Sequence, residues 1–284
     1  GGKEVYRYGS SQGWSPVEQL GYLSQGFGDG FANDNFNRVW VATGRDDLRR
    51  FDPQTGGWRH YTASEIGFTP AEDTSYQGHF LTDVLRARDG NIWVSDCIGQ
   101  GEVLSGEGVR RYDGNRWKDT PELDGQCVYD MEIDASGRIW VGAFDELIRY
   151  DPQDDSWQHY PLPAYARRQV ITSIDLDASG VPWVEVLRSG GASVYGSTVR
   201  YHLKDEQWIL DFDPQMWLPS SLAFGPDAQA WLCAGGVLYQ EAEGSFRQVG
   251  ALKALSCQVK IDGTGRVWVA GFNGTDSGLW WYQP

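Results

Sequence analysis

The chain is poor in the residues that most enzyme centres rely on: 284 residues carry four histidines, four cysteines and two methionines. His60 and His159 recur in matched phrases, Trp58-Arg59-His60-Tyr61 and Trp157-Gln158-His159-Tyr160, and His202 ends another repeated phrase. Only His79 falls in a variable stretch, so no pair of histidines stands ready as a metal or general-base centre. The chain reads as a binding protein more readily than as an enzyme. Basic residues are also scarce. With 24 Lys and Arg against 39 Asp and Glu the net charge is −15, which makes phosphate backbones and anionic lipid poor partners and argues against nucleic acid. Long apolar runs are missing too. None approaches the roughly 20 residues a bilayer-spanning helix requires, so no membrane insertion is expected. Nothing in the periodicity calls for a helix anywhere.

What is present in excess is tryptophan, 14 in all. The phrase Asp134-Ala135-Ser136-Gly137-Arg138-Ile139-Trp140-Val141-Gly142 returns in blurred form around Trp40, Trp93, Trp183, Trp231 and Trp268. Asp/Gly clusters before a β-branched and aromatic run are turn-then-strand chemistry. A second phrase follows each: Leu48-Arg49-Arg50-Phe51-Asp52, Val109-Arg110-Arg111-Tyr112-Asp113, Leu147-Ile148-Arg149-Tyr150-Asp151, Thr198-Val199-Arg200-Tyr201-His202, Gly236-Val237-Leu238-Tyr239-Gln240 and Gly278-Leu279-Trp280-Trp281-Tyr282. A third aromatic, Trp58, Trp117, Trp157, Trp208 or Phe246, closes five of the units. Four short strands in a period of about forty residues are the signature of a propeller blade.

The expected fold is therefore all-β: a six-bladed β-propeller of four-stranded blades, forming a single domain over residues 1–284. Blades are expected near 27–62, 81–120, 128–162, 171–213, 220–249 and from 255 to the end. Tyr8 and Trp14 are spaced like Tyr150 and Trp157, so the N-terminal segment repeats the third and fourth strands of a blade. The strand around Trp14 is expected to supply the missing outer strand of the last blade and close the ring. The alternative is a seven-bladed ring with one blade incomplete.

Cysteine placement carries further information. Cys97 lies four residues after its tryptophan and Cys127 thirteen before the next; Cys233 lies two after its tryptophan and Cys257 eleven before the next. Two residues more on one partner are matched by two on the other, so each pair sits level on neighbouring blades. This suggests disulfides Cys97–Cys127 and Cys233–Cys257, out of three possible connectivities, and with them an oxidising compartment, extracellular or periplasmic. Buried free thiols are the other reading.

Loop length also divides the chain. Turns between first and second strands are uniform, whereas residues 62–81, 96–108, 186–198, 213–219 and 271–278 vary, and all of these emerge on the opposite face. Variable loops on a regular scaffold are where binding residues sit.

The phrase Ile133-Asp134-Ala135-Ser136-Gly137-Arg138-Ile139-Trp140-Val141-Gly142, followed by Leu147-Ile148-Arg149-Tyr150-Asp151, resembles the repeat of the two-component-regulator propellers found in extracytoplasmic sensor regions of bacterial kinases. It is also similar to the streptogramin-lyase-like propellers. The resemblance covers nearly the whole chain and implies a bacterial, exported, ligand-sensing or scaffolding propeller; its motif is architectural and carries no catalytic residue across.

Several residues stand out as candidate ligand contacts. Two positions after the tryptophan the units read Ala42, Ser95, Gly142, Glu185, Cys233 and Ala270, all small but one. An ionisable Glu185 there either serves a ligand or pairs with Arg188 or Arg168. Ten positions before the tryptophan stand Gly30, Asp83, Asp130, Ser173, Ser221 and Gln258. Asp83 and Asp130 could hold a polar ligand or a Ca2+ ion at a channel mouth, or else hold water and cap strand ends. The loops at 62–81 and 96–108 gather Tyr76, His79 and Asp96, and Trp217 lies in a variable loop beside Pro219. The function expected from these residues is a non-enzymatic binding or sensor module, monomeric, taking a small polar ligand, a glycan or a protein loop on the variable face. A metal-assisted lactonase or lyase at the channel mouth and a pure interaction scaffold are the alternatives.

Overall fold

Four of the six repeats are wound around an aspartate six residues before the tryptophan; sheets two and five have Ala87 and Gly225 there. The Asp34 carboxylate accepts the backbone N–H groups of Phe36 and Arg38 at 2.9 and 3.0 Å, and its second oxygen takes the indole N–H of Trp40 at 3.0 Å. Asp262 does the same for Thr264, Arg266 and Trp268, and Asp134 and Asp177 hold their own turns through Oδ1. The repeated Asp is thus the residue that closes the hairpin and aims the tryptophan. Burial pushes the Asp34 carboxyl up, but the hydrogen bonds from Trp40, Arg38 and Phe36 outweigh it and leave its pKa below the ordinary value.

A computed structural model describes residues 4–9, 13–19, 30–42, 47–69, 77–100, 103–165, 169–188, 197–214, 220–242, 244–252, 256–272 and 277–282. A hairpin of β1 (Glu4–Gly9) and β2 (Gly13–Gln19) comes first. Sheet one holds β3 (Phe31–Asn33), β4 (Val39–Ala42), β5 (Asp47–Asp52) and β6 (Gly57–Thr62). Sheet two holds β7 (Gln77–Arg86), β8 (Ile92–Gln100), β9 (Val103–Ser105), β10 (Val109–Tyr112) and β11 (Trp117–Asp119). Sheet three holds β12 (Asp130–Ile133), β13 (Ile139–Gly142), β14 (Glu146–Asp151) and β15 (Ser156–Pro161), and sheet four β16 (Gln169–Leu176), β17 (Pro182–Arg188), β18 (Ser197–Lys204) and β19 (Gln207–Phe212). Sheet five holds β20 (Ser220–Phe224), β21 (Ala230–Ala234), β22 (Val237–Ala242) and β23 (Ser245–Ala251); sheet six holds β24 (Ser256–Ile261), β25 (Val267–Phe272) and β26 (Ser277–Tyr282). Within each sheet the strands pair antiparallel in chain order, with β9 as an extra strand on β8. These limits agree with the repeat to within a few residues.

The chain divides into two compact units, residues 1–144 with 149–158, and residues 145–148 with 159–284. In the first, Trp40 is fully buried and its ring lies 5.5 Å from Tyr112 and 6.3 Å from Trp117 of sheet two; Trp93 meets Tyr150 at 5.4 Å and Trp157 at 6.4 Å. The second unit repeats the scheme with Trp183 against Phe246 at 6.3 Å and Trp231 against Tyr282 at 5.5 Å. The second-strand indole thus packs on the third- and fourth-strand aromatics of the following sheet, each such burial contributing roughly 3 kcal/mol.

Both expected disulfides are present, Cys97–Cys127 in the first unit and Cys233–Cys257 in the second. Bonds of this kind persist in oxidising surroundings, which puts the chain in an extracellular or periplasmic setting. Among the described residues no helix is long and apolar enough to cross a membrane.

Three expectations need correcting. Among the described residues the Trp14 strand is paired otherwise than expected: β2 pairs with β1, Trp14 opposite Tyr8, and sheet six has three strands. The hairpin satisfies β2 locally, over a register running from Glu4–Gln19 to Gly9–Gly13. A helix does occur. Residues Ala63–Ile66 form one turn, α1, with Thr62 and Glu65 exchanging a capping box and Gly67 closing it at φ +100°. Its Ile66, and Phe68 beyond it, are buried in the core of sheets one and two. Lastly, the 96–108 stretch is largely strand, because β8 runs on to Gln100 and β9 folds back on it.

Candidate functional site

Sheet four carries the feature that sets it apart. Glu185 on β17 faces Ser173 on β16 and Arg200 on β18, and the two residues are 6% and 1% exposed. Thr172 donates to Glu185 Oε1 at 3.3 Å, and Arg200 Nη2 donates to Oε2 at 3.3 Å. Arg200 Nη1 reaches Asp175 at 3.4 Å and its Nε reaches Ser220 Oγ at 3.0 Å. Ser220, on β20 of the next sheet, donates in turn to Glu185 Oε2. Burial pushes the Glu185 carboxyl up to about 7, with Arg200 opposing and Asp175 adding to the rise. Glu185 pairs with Arg200, Arg188 pairs with Asp213, and Arg168 lies outside the described residues; the carboxylate oxygens of Glu185 are engaged by Arg200, Thr172 and Ser220.

Arg188, three residues further along β17, occupies the loop end of the same sheet. Its Nη1 donates to Asp213 at 3.3 Å and its Nη2 to the Tyr201 hydroxyl. The guanidinium lies 4.8 Å from the ring centre of Tyr165 and 5.7 Å from that of Tyr201. Gln169, opposite Arg188 on β16, is buried and donates to the Pro163 carbonyl at 2.9 Å. Tyr165 remains 45% exposed. A fixed cation, an open aromatic face and a carboxylate therefore meet where two variable loops leave the sheet. This combination suits a polar ligand with a flat or apolar side.

The other expected contacts divide between structural duty and segments outside the description. Asp83 accepts its neighbour's N–H from Val84 at 2.7 Å and, through its other oxygen, that of Met131 on β12 at 3.0 Å. Ser221, at the matching position, accepts Val259 N–H at 3.2 Å. In sheets two and five, position ten before the tryptophan is therefore a clasp onto the next sheet's inner strand. Asp130, one residue from Met131, is buried beside it. Asp96 is fully buried and accepts Glu107 N–H at 3.0 Å, fixing the β8–β10 connection. Among the described residues no group of three or more His, Cys, Asp or Glu is placed to hold a metal ion. His79 lies in β7 opposite Ile98, not in a loop, because β7 extends to pair with the lengthened β8. Tyr76 and Trp217 lie outside the described residues. Sequence reasoning missed Tyr165, Tyr201 and Asp213; the signal for Asp213 was its place at the mouth of the 213–219 loop.

No protein-family model matches the chain, and no curated protein does. Solved structures do match. Two crystal structures of an extracellular domain from B. thetaiotaomicron cover 93% of this chain: one, described as from a hybrid two-component system, is 15% identical with a TM-score of 0.45, and the other, described as from a one-component system, is 14% identical with a TM-score of 0.46. The chain spans 39% of the length of each.

Proposed function

We propose that the chain is a non-enzymatic extracytoplasmic binding and sensor module that takes a small polar ligand, a glycan or a protein loop at the loop end of sheet four. The six sheets are read as blades of one propeller, with the β1–β2 hairpin as the outer half of a further, incomplete blade. The observation that carries the binding reading is the Arg188 cluster. Its guanidinium is held in place by Asp213 and Tyr201, and Tyr165 leaves an aromatic face open beside it. A rotamer-locked cation loses little entropy when a ligand arrives, so the site is preorganised.

The test is a thermal-shift screen of monosaccharides, oligosaccharides, sugar acids and amino acids, followed by calorimetry on any hit with Arg188→Ala and Tyr165→Ala. Both variants are expected to lose at least about tenfold in affinity while melting close to the parent. Full affinity in both variants would move the site elsewhere.

A further inference from the structure

The layer between sheets four and five, both in the second unit, is built from different chemistry than its counterparts. Two rows of facing residues form this side of a sheet: the row of the repeated tryptophan and the row two residues further along. In sheets one, two, five and six the further row pairs Ala42 with Leu48, Ser95 with Val109, Cys233 with Leu238 and Ala270 with Leu279. The tryptophan row pairs Trp40 with Arg50, Trp93 with Arg111, Trp231 with Gln240 and Trp268 with Trp281. With Cys233 in a disulfide, none of these side chains changes charge between about pH 5 and 8. In sheet four the rows hold Glu185 with Arg200 and Trp183 with His202.

The His202 ring stacks on Trp183 at 4.6 Å between centres, and its Nδ1 lies 2.9 Å from both oxygens of Asp211 on β19. Burial holds the Asp211 carboxyl above its ordinary value, with His202 opposing and Glu241 of β22 adding to the rise. Phe224 and Phe246 of sheet five close edge-on over Trp183. One row along, Glu185 meets Arg200, Thr172 and Ser220, and Arg200 meets Asp175, which stands opposite Trp183 on β16. Lys204, next on the same side of β18, is exposed. Asp175, Glu185, Asp211 and Glu241 are thus set against one buried guanidinium and one imidazole, and the side chains of Glu185 and Asp211 are only 8% and 5% exposed. Buried negative charge in excess is costly, and a bound proton relieves it.

We propose that this layer is a proton-operated latch, which draws sheet four onto sheet five as pH falls below neutrality and slackens as pH rises above it. As imidazolium, His202 lays a cation on its indole, as Arg50 and Arg111 do at 5.3 and 5.1 Å in sheets one and two, and pairs with Asp211. As neutral imidazole it keeps the hydrogen bond and gives up the charge. Protonated Glu185 no longer holds a negative charge in the layer, and its raised carboxyl favours that form up to about pH 7. Both groups therefore work in the same direction: what each adds at acid pH is lost as pH climbs. The latch lies apart from the Arg188 cluster and does not depend on a ligand there.

Amide hydrogen exchange of the intact chain at pH 6 and pH 8, corrected for the intrinsic rate at each pH, tests this. Protection of the β17 and β20 amides should fall about tenfold from pH 6 to pH 8, while β25 of sheet six, in the same unit, changes by less than about twofold. Glu185→Gln with His202→Arg removes both titrations and should flatten the β20 response to under about twofold. Should that double variant fail to fold, His202→Arg alone, which copies sheets one and two, should reduce the response to about threefold. The proposal is overturned by equal protection at the two pH values, by an equal fall in β25, by protection that rises toward pH 8, or by the full tenfold response in a folded variant.

Discussion

Sheets one and four use the same pair of facing positions in opposite ways. In sheet one Ala42 faces Leu48, both buried, and in sheet five Cys233 faces Leu238. In sheet four that pair is Glu185 and Arg200, equally buried and both ionisable. A small–aliphatic pair needs nothing from its surroundings. An ion pair in the same space must recruit Thr172, Ser220 and Asp175 to satisfy its remaining donors and acceptors, and so it ties β20 to β17 by hydrogen bonds that the apolar pair could not make. The lesson is that the charged pair is a specifying element more than a stabilising one: its desolvation cost offsets most of its attraction, while breaking it leaves a buried charge behind.

The comparison is broken most severely by Arg200→Leu. Orphaning Glu185 should cost about 3–5 kcal/mol by chemical denaturation, whereas the double variant Glu185→Ala/Arg200→Leu, which copies sheet one, should return to within about 1 kcal/mol of the parent or exceed it. A double variant as unstable as the single one would mean that the network contributes far more than its charges. The next largest effect concerns Cys233, which occupies in sheet five the position of Glu185. Replacing Cys233 and Cys257 by alanine opens a link spanning 24 residues and should lower stability by about 2–4 kcal/mol; a loss well under this range would show that noncovalent packing already joins those sheets.

The pH response sharpens the contrast. Glu185 titrates near 4.5 when unfolded and about 7 when folded. A raised folded pKa means that the neutral form is favoured in the native state. Its contribution is complete below about pH 4.5 and is lost as pH climbs through 7, amounting to roughly 3 kcal/mol. Denaturation of the parent and of Glu185→Gln across this window should diverge by that amount, and parallel curves would rule the shift out. Smallest in stability is Arg188→Ala, at the rim of the same sheet. It should shift stability by no more than about 1 kcal/mol, because Arg188 and Asp213 are partly exposed, while removing the recognition proposed for the loop end.

Much of this was legible in the sequence. Strand limits, the buried tryptophans and both disulfides follow from counting outward from a hairpin turn, because strand rise is constant and the turn fixes the starting height. The ion pair was half legible. Glu185 stands out against its column, but the phrase Thr198-Val199-Arg200-Tyr201-His202 sets Arg200 beside Arg50 and Arg111, whereas the true register sets His202 there and Arg200 opposite Glu185. A slip of two residues preserves the inward and outward faces, so alternation gives no warning of it. Thr62-Ala63-Ser64-Glu65 followed by Gly67 was a readable helix signal inside a stretch taken as loop. Tyr165 and Asp213 were not readable as partners of Arg188, because their meeting depends on how two connections fold back over one sheet end.

The carboxylate of Asp83 and the hydroxyl of Ser221 each reserve a backbone amide belonging to the strand that opens the succeeding sheet. Loosening sheet two or sheet five therefore strips its follower of a partner before any of the follower's own ladder is touched, so that damage passes forward to the next sheet at these two places. Deuterium uptake at Met131 and Val259 would register a disturbance in the sheet upstream of each, sooner than at any other amide of the sheet in which they lie.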